Sequence, residues 1–435
     1  MFFITFGAYT AISYLIKAFA LLSPSADVTD LFCALAVMLV ALPMLFSTKS
    51  LAEAFGASKI MRPALMGIFG IPAESFEKRP REVRMQSLAV ILGLILGVIT
   101  YFVSPINILI SLAAVALLWL LMSFPEAGAI LTVALAPFMS FAEHPTVTVV
   151  VFVLITAFSY GIKLLRGKRV FRFESSDLPV LFLWIVLLFG AVSPTGVGGY
   201  KEALALASLM LVYFLVSNLV RSRKWLNVTV ILFIASATVT AFLGLAEYML
   251  GFSEFNWLDA SIFADISGRA TSVFENPNVL AAYLIMAFPT AVAVCFYNKE
   301  RRIKVLCALC SLVMLACVVF TWSRGAWIAL VCGTMLFLLC ISRRALLILP
   351  PAAGPTLLAS WAFPTTFGAR LANIFSLADS TNHYRVSIWE GVSDMLGKIW
   401  ACGIGLGEKS FGTAYLDHSL AGIEHAPHAH SLYLQ

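Results

Sequence analysis

Three of the six histidines of this chain, His425, His428 and His430, lie within its last eleven residues, HAPHAHSLYLQ. An imidazole with an ordinary pKa of about 6.5 accepts a proton from a hydroxyl group near neutral pH, so we predict that His430 acts as a general base. Two other interpretations stay open, a surface histidine without a role and a metal site with three imidazole ligands. The spacing H-x-x-H-x-H matches no standard zinc motif, and Glu424 is the only carboxylate within the cluster, so we expect no metal.

Two arginines are the next candidates for chemistry. Arg269 lies in SGRATSVFENPNVLAAY, just before a helix that we predict to begin with Asn276 as N-cap and Pro277 as first residue. Arg324 lies in TWSRGAWIAL, at a short turn between two apolar runs. Two guanidinium groups and two helix N-termini on one face of a membrane suit an anion such as pyrophosphate. The alternative is that both arginines only anchor helix ends at the interface.

The composition shows which environment surrounds these residues. Of the 435 residues, 61% are apolar and only 12% are charged, whereas soluble domains carry about 25% charged residues. The sequence therefore predicts a membrane protein, and the net charge of +6 is not a sign of nucleic-acid binding.

Cys307 and Cys310 have C-x-x-C spacing but lie in an apolar run, so we interpret them as helix residues. The N-terminus lacks a basic region and is predicted to be an uncleaved first helix.

Apolar runs that are long enough to cross a bilayer recur along the whole chain. About thirteen are predicted, near 2–22, 31–47, 87–103, 106–123, 127–142, 146–162, 179–196, 202–220, 226–250, 279–297, 305–322, 326–342 and 346–362. Five basic clusters, at 78–84, 163–172, 221–224, 299–304 and 343–344, are each separated by an even number of these runs. All five can then share the cytoplasmic face, with Met1 on the same side.

This topology divides the chain into a predicted all-α transmembrane bundle at 1–362 and an extracytoplasmic loop region at 363–435. The segment 251–278 and the turn 321–325 are predicted to lie outside as well. Within the loop, 383–400 has apolar residues at mostly helical spacing, which predicts an amphipathic helix on the membrane surface or on the bundle. The glycine-rich stretch CGIGLGEKSFG follows, and we interpret it as a turn because no strand precedes it as in a phosphate-binding loop.

With these pieces in order, the chain resembles the O-antigen ligase and polymerase family of bacterial membrane glycosyltransferases. The matching segments are GRATSVFENPN, TWSRGAW, YRVSIWEGV…WACGIGLGEKSF and HAHSLYLQ, which span about 265–435. The resemblance implies that His430, followed by Ser431, is the essential histidine of the external loop. It also implies that Arg269 and Arg324 are the essential arginines at outer helix ends. Arg385 and His428 are candidates for residues that support the site. The family pattern continues with further helices beyond the histidine, so we expect this sequence to stop before them.

The resemblance also implies a reaction. A glycan would move from a polyprenyl-pyrophosphate donor, such as undecaprenyl pyrophosphate, to an acceptor hydroxyl on a glycan, lipid or protein. The transfer would take place at the outer face of the cytoplasmic membrane of a bacterium, without a metal or another cofactor, in surface polysaccharide ligation or polymerisation. The alternatives are a transporter, since some members of this superfamily have been described as bicarbonate carriers, and a non-catalytic envelope-assembly protein. A carrier is expected to place ionisable groups near the middle of its spans. The spans offer little besides Lys17, and Glu247 toward the outer end of its helix, while the other polar groups gather at the outer face, which favours an enzyme or receptor.

Overall fold

A computed structural model describes most of the chain, in two compact units, Met1–Gly128 and Ala129–Gln435. The described residues are 1–19, 27–46, 51–58, 61–67, 73–76, 83–190, 200–251, 268–274, 276–341, 380–400, 403–420, 423, 426–431 and 434. The predicted span at 346–362 and the histidine at 425 lie outside these residues.

The described residues of the first unit form helices joined by short connections. Its helices are α1 (Phe2–Phe19), α2 (Val28–Phe46), α3 (Leu51–Ala57), α4 (Met61–Gly67), α5 (Val83–Ile99) and α6 (Pro105–Ser123), with a 3-10 turn at Ala73–Phe76. Helix α1 packs against α2 and α5. Gly93 and Gly97, one turn apart on α5, lie directly against the backbone of α1, so a side chain at either position would collide with it. Small residues at this spacing let two membrane helices approach closely.

A buried ion pair connects the end of α1 to the start of α2. The ammonium nitrogen of Lys17 lies 3.9 Å from the carboxylate of Asp30, and both residues are less than a tenth exposed. Lys17 also donates to the carbonyl oxygen of Thr100 at 3.0 Å, and the Ser104 hydroxyl donates to Asp30 at 3.2 Å. These bonds join α1, α2 and the turn between α5 and α6. Lys17 therefore has a structural partner, which the sequence did not indicate.

The remaining helices begin at Pro125. They are α7 (Pro125–Leu135), α8 (Pro145–Leu165), α9 (Leu178–Gly190), α10 (Tyr200–Leu219), α11 (Arg223–Leu250), α12 (Pro277–Tyr297), α13 (Arg301–Phe320), α14 (Arg324–Ile341), α15 (Ser380–Ile399) and α16 (Glu408–Tyr415), with 3-10 turns at Ala136–Phe141, Ser175–Asp177, Ser272–Phe274 and Leu416–His418. The largest core of the second unit lies among α11, α12, α13 and α14. It is built from small and flexible residues such as Ala241, Leu284, Met314 and Cys317, so the helices can pack closely.

The helix lengths and composition confirm a polytopic helical membrane protein. Seven described helices are long and apolar enough to cross a bilayer, and five shorter apolar stretches lie at 28–43, 87–99, 125–141, 175–190 and 324–340. Together these twelve coincide with the first twelve predicted runs. The predicted run at 127–142 is interrupted, because the α-helix ends at Leu135 and continues as a 3-10 turn.

The predicted amphipathic helix is present as α15. Its buried face carries Ile388, Val392 and Met395, which pack in one cluster with Phe411 and Tyr415 of α16. The predicted turn after it is correct only in part. Gly403, Gly405 and Gly407 have positive φ angles of 64°, 86° and 100°, which glycine adopts without strain. From Glu408 the chain is helical, because the apolar side chains at 411 and 415, one turn apart, share the face that packs on α15.

Candidate active site

Arg269 is held against the turn that precedes Arg324. Its Nε atom donates to the carbonyl oxygen of Thr321 at 2.7 Å, and a terminal nitrogen donates to the amide oxygen of Asn278 at 3.2 Å. The backbone N–H of Ala270 donates to the carbonyl oxygen of Phe320 at 3.0 Å. The segment of Arg269 therefore lies along the end of α13, and its guanidinium group reaches a residue three positions before Arg324.

Local sequence explains how the two arginines come to lie at helix ends. Helix α12 begins as predicted, with Pro277 as its first residue and the side chain of Asn276 accepting a hydrogen bond from the backbone N–H of Asn278 at 2.9 Å. Helix α14 begins at Arg324 itself, after a three-residue turn in which Trp322 has a positive φ of 53°. The structure thus places two half-buried arginines beside two helix N-termini, an arrangement that favours an anionic ligand.

The histidines form a second group on the surface of α15. The imidazole rings of His428 and His430 lie 4.0 Å apart, centre to centre, and the ring of Tyr384 lies edge-on to His430 at 5.8 Å. Between them, Ala429 is fully buried in the cluster with α15, and its carbonyl oxygen accepts a hydrogen bond from the Trp389 indole at 3.0 Å. His430 has a positive φ of 51°, a conformation that is uncommon for residues other than glycine and often occurs at functional sites.

Burial changes the protonation of both histidines. It lowers the pKa of His430 to about 4, with further contributions from the positive charges of His428 and Arg385. Burial also lowers the pKa of His428, to which Arg385 contributes in the same direction and Glu408 in the opposite one. Both rings are therefore neutral near pH 7. The ordinary pKa assumed from the sequence is wrong for His430, since the sequence does not show burial.

The predicted site residues thus fall into two groups in the second unit. Arg269 and the turn of Arg324 form one group, and His428 and His430 form the other. The charge of Arg385 on α15 helps to lower the pKa of both histidines. Among the described residues, no three histidine, cysteine, aspartate or glutamate side chains lie together as a metal would need. His425 lies outside these residues, and metal independence stays a prediction.

Sequence reasoning missed a histidine–carboxylate pair next to this site. His418 Nδ1 lies 2.6 Å from the carboxylate of Asp394, whose pKa is lowered first by this hydrogen bond and then by Lys398. The pair connects the turn after α16 to α15. No motif in the sequence indicates it, because the two residues are 24 positions apart and meet only when α15 and α16 pack together.

An open cavity of about 660 Å³ adjoins the histidine segment. It is lined by Glu202, Glu408 and Thr413 among others, and by Pro427, the residue before His428. Glu408 is the residue whose charge opposes the lowering of the pKa of His428. The cavity is large enough for sugar units and offers acidic and hydroxyl groups that can bind them.

The structure is that of a membrane protein with many helices, with arginines at helix ends and a pair of half-buried histidines. The comparison with protein families indicates which class of membrane protein this is. Residues 309–435 match the family model described as O-antigen ligase. This confirms the resemblance to the O-antigen ligase family over the C-terminal part of the chain, which contains Arg324, Arg385, His428 and His430, while Arg269 precedes it. The comparisons with curated proteins and with solved structures give no match.

Proposed function

We propose that this protein is a membrane glycosyltransferase that moves a glycan from a polyprenyl-pyrophosphate donor to an acceptor hydroxyl. The family match supports an O-antigen ligase or polymerase type of function, and we propose that it acts in surface polysaccharide assembly in the cytoplasmic membrane of a bacterium. The observation that carries the donor assignment is the bond from Arg269 to Thr321. This bond brings the guanidinium group of Arg269 to the turn that precedes Arg324. Two positively charged residues at one turn favour binding of an anion such as pyrophosphate.

In the proposed reaction, the acceptor hydroxyl oxygen attacks the anomeric carbon of the donor glycan. The bond from that carbon to the pyrophosphate oxygen breaks, and the acceptor proton moves to the imidazole of His430. Arg269 and Arg324 bind the pyrophosphate and stabilise the negative charge that it gains as it leaves. One displacement inverts the anomeric configuration. The lipid pyrophosphate is already a good leaving group, so the reaction needs no nucleotide sugar.

The neutral state of His430 fits this role. A base must be unprotonated before it accepts a proton, and burial keeps the ring in that state near pH 7. A histidine with a pKa near 4 is nevertheless a weak base in the free protein. When the anionic donor binds nearby, its negative charge raises the pKa of the ring and makes it a stronger base. Donor binding thus prepares the histidine for proton transfer.

We further propose that both groups of residues lie at the outer face of the membrane. The even number of apolar runs between basic clusters supports this orientation. Acceptor glycan would then enter from the cavity beside Pro427. Arg385, whose charge acts on both histidines, would help to keep them neutral until the donor arrives.

Deletion of the gene, followed by analysis of surface glycans and lipid-linked intermediates, tests this function. We expect the surface polymer to be lost or shortened and its lipid-pyrophosphate precursor to accumulate. A variant with His430→Ala should give the same result at normal protein levels. Unchanged surface glycans and lipid intermediates in the deletion strain would contradict the proposal.

A further inference from the structure

Glu247, in the last turn of α11, makes three hydrogen bonds to the segment that follows Arg269. Its carboxylate accepts from the backbone N–H of Thr271 at 3.1 Å and from the Thr271 hydroxyl at 2.6 Å. It also accepts from the backbone N–H of Ser272 at 2.6 Å. A carboxylate that accepts several backbone hydrogen bonds is a strong and directional anchor, and here all three bonds hold two consecutive residues.

The same two residues pack tightly on α11. The Ser272 hydroxyl donates to the carbonyl oxygen of Thr240 at 2.7 Å, and Ser272 has a positive φ of 52°. A Cβ atom placed on Gly244 would lie 3.2 Å from Ser272 and 3.1 Å from the sulfur of Cys317. Only a residue without a side chain fits there comfortably. The segment is thus fixed in a conformation that it would not adopt alone.

Arg269 lies between this anchor and the end of α13. On one side, Glu247 fixes the backbone at 271 and 272. On the other, Ala270 and the Arg269 side chain bond to the carbonyl oxygens of residues 320 and 321. Since residues 268–271 belong to no helix or strand, the bonds of the Glu247 carboxylate fix the position from which the Arg269 side chain extends.

From this geometry we infer that Glu247 is a positioning residue for Arg269 and so determines how tightly the protein binds the lipid pyrophosphate. The inference rests on the proposed function, because it takes Arg269 to be the donor-binding residue. A site for a phosphate group depends on placing its donors to within about 0.5 Å. Loss of the anchor should therefore weaken donor binding and leave acceptor binding unchanged.

The experiment measures the Kd of undecaprenyl pyrophosphate for the purified full-length protein in detergent or nanodiscs, and the KM of the acceptor in the transfer assay. Glu247→Gln replaces the charged carboxylate by a neutral amide with one acceptor oxygen instead of two, so it weakens the three charge-assisted bonds to residues 271 and 272. We expect the Kd to rise about tenfold and the acceptor KM to stay constant. Glu300→Gln, the same change at an exposed glutamate before α13, is the matched control and should bind like the wild type.

A double variant separates positioning from general damage. If Glu247 acts through Arg269, then Glu247→Gln combined with Arg269→Ala should bind no more weakly than Arg269→Ala alone, to within about twofold. The inference would be overturned if the losses of donor affinity in the two single variants multiply in the double variant. It would also be overturned if the acceptor KM rises together with the donor Kd.

If the Glu247→Gln protein does not fold or is not produced in useful amounts, a milder pair of variants at Thr271 tests the same inference. Thr271→Val keeps the shape but removes the hydroxyl that donates to Glu247, whereas Thr271→Ser retains it. We expect weaker donor binding for the valine variant and normal binding for the serine variant, and equal binding by the two would overturn the inference.

The same data distinguish failure of the inference from failure of the proposed function. If Arg269→Ala binds the lipid pyrophosphate normally, the proposed donor site is wrong, whatever Glu247 does. If Arg269→Ala binds weakly while Glu247→Gln and Thr271→Val bind normally, the donor site stands and only the role of Glu247 is rejected.

Discussion

The indole N–H of Trp389 donates a hydrogen bond of 3.0 Å to the carbonyl oxygen of Ala429, the residue between the two candidate histidines. This bond attaches the histidine segment to α15 from the side that is exposed to solvent, while Ala429 itself is buried against the same helix. The segment is otherwise irregular, and His430 has a positive φ. The orientation of the His430 ring therefore depends on α15.

The first prediction follows from this bond. Trp389→Phe keeps an aromatic ring but removes the N–H donor, so the histidine segment should become less well fixed. A hydrogen bond of this kind contributes about 1 kcal/mol, so we expect a stability loss of that size and a fall in transfer rate of about fivefold. Trp400→Phe, at an exposed tryptophan after α15, is the control and should keep both properties. Equal transfer by the two variants would show that this bond does not position the site.

The second prediction concerns His430 as the base. A positioned base typically contributes about 10²–10⁴-fold to a rate, so His430→Ala should nearly abolish transfer and leave donor binding largely intact. His383→Ala, which removes an exposed histidine on α15, should remain active. Single-turnover transfer and separate donor-binding measurements distinguish the two steps. Near-normal transfer by His430→Ala would rule out its role as the base.

The third prediction concerns pH. Burial is the main cause of the low pKa of His430, about 4, and the charges of His428 and Arg385 add to it. The base is active when unprotonated, so kcat/KM should be constant from pH 7 down to about 5 and fall as the pH approaches the pKa of the free protein. Arg385→Gln removes one lowering charge, so the pKa should rise and the acid limb should move to higher pH.

Lys398→Gln is the control for this pH profile. It removes a cation from the same helix, but that cation pairs with Asp394, and its charge is not among the causes that shift the pKa of His430. The acid limb of this variant should coincide with that of the wild type. An Arg385→Gln profile that also coincides with the wild type would show that Arg385 does not control the base.

Features of the structure that depend on neighbouring residues, such as the start of α12, could be predicted from the sequence. The start of α12 was predicted correctly because an N-cap asparagine and a proline at the first position act through neighbouring residues. The apolar spacing of 383–400 likewise predicted an amphipathic helix, which is present as α15 with Ile388, Val392 and Met395 on its buried face. Arg269 and Arg324 were expected on one face of the membrane, which stays a prediction. The structure shows that the Arg269 side chain bonds to the turn before Arg324.

The contacts that set the properties of the site are long-range, and the sequence did not reveal them. Glu247 and Thr271 are 24 positions apart, and so are Asp394 and His418. Neither pair has a motif, because each joins a helix to a segment that reaches it only in the folded chain. The low pKa of His430 has the same origin, since burial is a property of the folded chain.

The fourth prediction concerns the two arginines. Arg269→Ala and Arg324→Ala should both weaken donor binding, because each removes a cation that pairs with pyrophosphate in the ground state. Replacement by lysine should restore binding only in part, since an ammonium group lacks the planar fork that binds two phosphate oxygens. Arg301→Ala, at an exposed position that starts α13, is the control. Normal donor binding by both alanine variants would mean that the arginines only anchor their helices.

The last prediction concerns orientation, on which the proposed site depends. The described residues include free cysteines, some of them exposed, so the experiment begins with a variant in which all eight cysteines are replaced by serine or alanine. Single cysteines are then introduced at Asp417 and Arg223, two exposed positions. Because Arg223 belongs to a basic cluster and residue 417 to the predicted outer loop, a membrane-impermeant maleimide should label only Asp417→Cys in intact cells. Both should react after the cells are broken, which shows that each thiol is accessible. Labelling of Arg223→Cys alone in intact cells would place the histidine pair in the cytoplasm and contradict transfer at the outer face.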